Sequence, residues 1–503
     1  MKHVKKVTAI LLVLFLFSSC SKDFLEKENP TQLGEGTFYK TEKQIDQAVI
    51  GIYGQLQGII ANQWLFTEFI SDNTTLHFDE GDRGQAPNIE SLEYWQMNSN
   101  TGSIYDMYRA TYSVIGNINT TLFKLSEAEA IDATTKAKFE GELKFFRAYY
   151  YFLLTEYFGD AIIVTEPVTN PSDAFQFERS PIAAVYTLIE SDLDFAVASL
   201  PKTVPSTQAG RVTKGTALTL QGKVWLTRKD FIKAKLALDQ VVDLDTYSLL
   251  PTYEAIFDPN NKNNAESIFE VQFQGGNDLG ESSGFIYNFY PRFTSGEVTG
   301  FSGVSGGGWN IPTNDLISAY EAGDLRKEIS LSEGYTSIGG DFVPVPFIEK
   351  FRHTHSIQGR PDDNWPVFRY ADVLLMLAEA INEQSGPTTE AYDYVNEIRD
   401  RAGLDAIDGM SKEQFRVAIL HERRIELAFE NHRWFDLKRT LSTSELVDLL
   451  NAHGLAERAN PTTSRGSIAF TAGDYIFSPY EVLLPIPERE RLVNPNLEQN
   501  EGY

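Results

Sequence analysis

Cysteine is almost missing from this chain. The single Cys20 leaves no disulfide framework open, so stability has to come from packing and polar pairing. Positive charge is also in short supply. The 44 Lys and Arg face 70 Asp and Glu, a net charge of −26, which excludes a nucleic-acid binder relying on a basic face. No apolar run reaches the roughly 20 residues that a membrane-spanning helix needs. Zinc-protease spacing fails, because the position four residues after His421 is Ile425. The Gly/Ser-rich stretch 294–310 lacks the Lys-Ser/Thr ending and the strand-to-helix frame of a phosphate cradle. His353 and His355 are too few to clamp a metal. Asp362, Asp363 and Asn364 nearby would suit a structural calcium ion but leave its ligand set incomplete, so a solvated loop is the plainer reading. The expectation is therefore no metal and no cofactor. No nucleophile–base pair stands out either. Asp79, Glu80 and Asp82 invite a glycosidase reading, but carboxylate separation decides that chemistry, and a charged loop accounts for them.

What is present begins at the N-terminus. Lys2, Lys5 and Lys6 precede a short apolar core at residues 8–17, and Ser18-Ser19-Cys20 follows. A lone Cys after such a core reads as a lipidation site behind a cleaved lipoprotein signal, residues 1–19. A bacterial lipoprotein Cys carries several acyl chains, enough for stable anchoring where one is marginal. The polar stretch with Pro and Gly that follows, within residues 20–40, suits a tether.

Beyond the tether, helical periodicity dominates. Helices are expected at 41–57, 103–125, 134–158, 181–199, 213–227, 230–244, 312–322, 369–384 and 388–403, and through 413–439. Short strands are expected at 267–274 and 347–352. Residues 218–242 can be laid over 375–399, a tetratricopeptide-like repetition whose helical hairpins would build a scaffold suited to holding another protein. The expected fold is mainly α, with long irregular loops at 71–102 and 258–312. In 413–439, Glu422 falls on the apolar stripe, and Arg416, Arg423, Arg424 and Arg433 stand close. A buried carboxylate must be paired, so a structural Arg–Glu knot is expected. The two loops carry Arg83, Trp95 and Asn98, and then Tyr290, Phe301 and Trp309. Trp95 in a platform competes with Trp95 as a cap on the next helix, and a disordered insert competes with a presenting loop at 294–310.

Several of these segments, in order, resemble the SusD/RagB family of surface nutrient-binding lipoproteins. They are Cys20 with Asp23-Phe24-Leu25-Glu26, Glu142 to Asp160, Arg369-Tyr370-Ala371-Asp372, Val395 to Gly403, the run from Glu422 to Arg439, and the tail from Pro485 to Tyr503. The local departure is Ala161-Ile162-Ile163, where the family usually has proline. The resemblance implies an N-terminal region at 41–257 and a C-terminal region at 258–503. It implies an outer-membrane protein, lipid-anchored through Cys20 and facing outward. Such a protein binds oligosaccharide or polysaccharide and acts as the lid of a SusC-like TonB-dependent β-barrel transporter, without catalysis. A peptide-capturing lid is the alternative, and a glycoside-processing enzyme is a more distant one. By analogy with the family's starch-binding member, Arg83, Trp95 and Asn98 would line the site. Tyr290 and Trp309 match by position only.

Overall fold

A computed structural model describes residues 38–83, 86–276 and 280–503; the expected signal segment, Cys20 and the expected tether up to residue 37 lie outside the described residues. The architecture is mainly α. Its helices of eight residues or more are α1 Glu42–Gln63, α2 Ala86–Glu93, α3 Gly102–Glu127, α4 Ala133–Phe158, α5 Ile182–Ser199, α6 Lys214–Thr227, α7 Phe231–Asp243, α8 Tyr370–Ser385, α9 Thr389–Arg401, α10 Lys412–Glu426, α11 Arg433–Thr440 and α12 Thr443–Ala459. Capping boxes at Thr41, Thr213, Ser411 and Ser442 satisfy first-turn N–H groups and set where α1, α6, α10 and α12 begin. Strands among the described residues form four antiparallel pairs. These are β1 Thr74–Thr75 with β3 Ile311–Pro312, β2 Ser267–Val271 with β8 Trp365–Arg369, β4 Leu331–Ser332 with β7 Phe347–Ile348, and β5 Tyr335–Thr336 with β6 Phe342–Val343. The stretch 71–102 is thus less irregular than expected, since it holds α2, and the expected strand 347–352 shrinks to two residues.

From Phe139 onward α4 is buried almost all round, as a helix apolar on every side must be. It packs on α3 and α5, and neighbours then follow in series: α5 on α6, α6 on α7, α7 on α8, and α8 on α9 and α10. Three Glu or Arg side chains enter its core, Glu156 accepting from Tyr186 Oη at 3.3 Å. Arg147 forks onto Asp192 at 2.7 and 2.8 Å, and Glu142 accepts from Tyr53 Oη at 2.7 Å and from Arg211.

The stretch 413–439 is not one helix. It breaks after Glu426, where Phe429 (φ 67°) and Asn431 (φ 69°) take the left-handed conformation. Asn431 is gripped there: Thr67 Oγ1 donates to its Oδ1, and its N–H donates to Glu68. The knot of charges does form around this break. Its partners come from farther away than sequence neighbours. Glu422 takes Arg326 at 2.5 Å and Arg399 at 3.1 Å, Glu426 takes Arg326, Arg369 and Arg401, and Glu430 takes Arg369 and Lys350. Arg423 pairs instead with Asp372 and Asp436, and Arg433 with Asp72.

This network sets an acid limit. Burial alone would raise the Glu426 carboxyl, but Arg401, Arg369 and Arg326 outweigh it and hold the group at about 2. Its contribution to stability is complete above the ordinary value of 4.5 and is lost as pH falls from there towards 2. Burial, then Lys223, holds His432 down at about 3, so its contribution fades as pH drops below 6.5. Glu68, lifted by burial to about 7, works in the opposite sense between 4.5 and 7. Between pH 4.5 and 6.5 the two slopes oppose each other, so we expect the urea midpoint to stay nearly level there and to fall steeply below 4.5. His432→Gln, which keeps an acceptor for Lys223 Nζ (2.8 Å from His432 Nδ1), should leave the Glu68 slope unopposed, so that the midpoint rises as pH drops from 6.5 to 4.5.

Candidate functional site

Three loops converge on one face: residues 77–83, 290–309 and 463–475. The Gly/Ser-rich stretch is tightly fitted, not a flexible insert. Gly306 N–H donates to Pro291 O, Gly307 to Tyr287 O, Gly308 to Tyr290 O and Trp309 to Asn288 O, all at 2.7–3.0 Å. Side chains could not make this pass. A Cβ at Gly306 would lie 2.2 Å from Tyr290 O, and one at Gly308 (φ 63°) would lie 2.7 Å from Arg292 Cγ. The glycines let the loop fold back on itself and bring Trp309 up beneath Arg292.

Arg292 is the hinge of the arrangement. Its guanidinium lies 4.2 Å from the centre of the half-buried Trp309 ring, donates to Gly307 O at 2.7 Å, and reaches Asp79 and Asp82 at 3.4 and 3.3 Å. Its backbone N–H donates to His77 Nδ1 at 3.1 Å. Burial first, then Arg292, holds His77 down at about 4, so the ring is neutral and accepts that bond. Next in sequence, Phe293 sits at φ 62°, 63% exposed as a residue, with its ring edge-on to His77. A bulky aromatic in the left-handed region is strained, and such strain clusters at functional sites.

Beneath the face lies Phe78, buried at 5% exposure. Arg83 covers its ring at 4.7 Å while forking onto Glu90 at 2.8 Å twice. Arg465 lies 4.1 Å from Phe78 and 4.1 Å from Phe470, and also donates to Tyr94 Oη. The carboxylate of Glu80 accepts from Ser467 N–H. Three guanidiniums, each on an aromatic ring, therefore alternate with carboxylates across contiguous surface. Aromatic faces suit apolar C–H surfaces, and charged donors and acceptors suit hydroxyl groups.

Of the residues singled out from sequence, Arg83 and Trp309 lie on this face. Trp95 does not. Its ring is 3% exposed, packed against Tyr475 and Phe477, with Nε1–H donating to Ile70 O at 3.0 Å. Trp95 does close a helix, but the preceding one. It stands at φ 53° just past α2, with its N–H donating to Leu92 O and that of Gln96 to Ser91 O, the Schellman pattern. Tyr290 is also a core residue, 2% exposed, its hydroxyl on Phe351 O. Asn98 is exposed, but its side chain is turned to its own loop, accepting from Asn100 N–H at 2.9 Å. The two histidines are likewise engaged. His353 Nδ1 lies 2.5 Å from Asp363, and His355 Nε2 lies 2.8 Å from Tyr287 Oη. Among the described residues no group of three His, Cys, Asp or Glu is placed to hold a metal ion, and no helix is long and apolar enough to cross a membrane. Arg292, Phe293, Arg465 and Phe470 were missed. Their signal, an arginine in a Gly/Ser/Thr-rich loop with an aromatic next to it at 292–293 or five residues on at 465–470, was present.

Comparison with known proteins decides the family. Residues 327–503 match the family described as the SusD family, and residues 23–226 match one described as starch-binding, associating with outer membrane. The chain belongs to the SusD/RagB family. A SusD-like protein of Formosa agariphila is 27% identical over 99% of this chain and 100% of its own. The starch-binding protein SusD of Bacteroides thetaiotaomicron is 23% identical over 100% of this chain and 99% of its own. Among solved SusD structures, a superfamily member from Parabacteroides distasonis aligns with a TM-score of 0.75 at 26% identity, covering 91% of this chain and 99% of its own. A laminarin-binding SusD-like protein aligns at 0.73 and 26%, covering 92% and 100%. The SusD fold of long helices with short strand pairs is thus what carries the loop face.

Proposed function

We propose that this SusD-family protein captures glycan chains on the loop face and hands them on. The carrying observation is the surface on which the exposed Phe293 and the half-buried Trp309 and Phe470 are interleaved with Arg292, Arg83 and Arg465. Relatives named for binding starch and laminarin support the ligand class. The same reading anchors the protein at the outer membrane through acylated Cys20 and makes it the lid of a SusC-like transporter. The series of packed helix pairs, tetratricopeptide-like in sequence, supplies the surface for that partner. A few hydrogen bonds of about 1 kcal/mol each with two stacked rings give roughly 4–6 kcal/mol, an affinity of about millimolar to tens of micromolar. That suits a protein that must release its cargo.

Calorimetry of the mature chain against a polysaccharide panel tests the ligand class. The expected result is saturable binding to at least one glycan with no release of reducing ends. Binding to none of them, or to peptides alone, would sink the reading. Cys20→Ser should free the protein from membranes and leave glycan affinity unchanged, and a β-barrel transporter should co-purify with the anchored form.

A further inference from the structure

A trough of about 850 Å³ shares no residue with the loop face. It is walled by α1, the loop 207–211 and strand β2 with the turn after it. At Gly210 and Arg211 it meets a second hollow of about 520 Å³. Its size lies in the range of ligand sites, and its walls are built with care. The α1 wall is kept bare at Gly54, where an added Cβ would meet nothing within 4 Å, although glycine weakens a helix interior relative to alanine. Across from it, Gln272 and Asn263 exchange carboxamide hydrogen bonds at 2.9 and 3.0 Å, with Asn263 held at φ 52°. Gly210 (φ 86°) is the close approach that permits this. A Cβ there would lie 2.5 Å from the Gln272 side chain.

The chemistry of the lining narrows the ligand. The two cations are outnumbered, Arg211 standing against Asp46 and Glu142 and Lys262 against Asp362, with Glu270 and Glu281 also on the lining, so the trough has no positive surplus for an anionic chain. The Gln272 carboxamide is spent on Asn263, Asn364 and Glu270 O; Gln57 and Gln274, which also line the trough, supply the donors and acceptors that hydroxyl groups require together. An extended peptide adding a strand to β2 would need free carbonyls along that strand. These are taken: Ile268 O accepts from Thr216 Oγ1, Glu270 O from Gln272 Nε2, and Gln272 O from Gln57 Nε2, at 2.8–3.0 Å. We infer that this trough is a second binding site, independent of the loop face, for a neutral oligosaccharide.

Hydrogen exchange of the full mature chain with four neutral hexasaccharides (α-1,4-gluco, β-1,3-gluco, β-1,4-manno and β-1,4-xylo) tests it. At least one sugar should protect segments 204–211 and 267–274. Gly54→Trp starts from a position where an added Cβ meets nothing within 4 Å; an unchanged thermal midpoint checks that the fold is kept, and the variant should weaken that protection at least tenfold. Trp309→Ala should leave it intact, which separates this site's failure from that of the loop face. No protection by any of the four sugars, protection indifferent to Gly54→Trp, or protection of these segments by an extended peptide library instead would overturn the inference.

Discussion

Arg369→Ala is expected to cost about 3–5 kcal/mol, the usual loss when one member of a buried ion network is removed. Arg369 is 1% exposed and holds three carboxylates at once. Nε and Nη2 fork onto Glu430 at 2.7 and 2.8 Å, and Nη1 reaches Glu266 at 2.6 Å and Glu426 at 3.0 Å. Truncation leaves Arg401, Arg326 and Lys350 to hold all three. Uncompensated buried carboxylates take up protons more readily. The variant should therefore regain stability as pH falls through the range in which the parent starts to lose it, and this reversed slope of urea midpoint against pH is the check. Arg369→Lys keeps the charge but not the planar fork, so an intermediate loss is expected. A parallel pH profile in the alanine variant would mean that lost packing, not orphaned charge, explains the destabilisation.

That network also marks where sequence reading stops. Glu422 on an apolar stripe announced a buried, paired carboxylate, because the cost of an unpaired one is large. Its partners could not be read, since Arg326 and Arg399 arrive from other elements and periodicity describes only one element at a time. The break after Glu426 was hidden for a related reason. Asn431 tolerates the left-handed conformation but Phe429 does not, and it is tertiary grip from Thr67 and Glu68 that holds the chain there. In the site, loop composition drew attention to Arg83 and Trp309, which the fold places on the loop face, because long loops with aromatics are where binding surfaces form. The same composition misplaced Trp95 and Tyr290. A ring in a loop is exposed or buried according to what folds over it, and here Tyr475 and Phe477, hundreds of residues away, cover Trp95.

Phe293 offers the sharpest separation of binding from folding. In this reading Phe293→Gly removes an exposed ring and also relieves its φ of 62°, a conformation that costs a non-glycine residue about 1–2 kcal/mol. Glycine's greater freedom in the unfolded chain offsets part of that gain, roughly 0.5–1 kcal/mol. Stability should thus be unchanged or slightly raised, while glycan affinity falls about tenfold, or 1.4 kcal/mol. Trp309→Ala should lower affinity by about tenfold to a hundredfold, as loss of an aromatic anchor does. It also removes the stacking of Arg292, worth about 0.5–1 kcal/mol near a surface, so a modest drop in thermal midpoint should accompany it. The two rings flank Arg292, and a sugar chain crossing that guanidinium would touch both. Their losses should then fall short of adding in the double variant, as expected for sites that share a partner. Calorimetry of the two single variants and the double against the glycan that the parent binds best is the measurement. If Phe293→Gly left affinity untouched while Trp309→Ala abolished it, the platform would be confined to the indole, and the strain at Phe293 would belong to the loop's own folding.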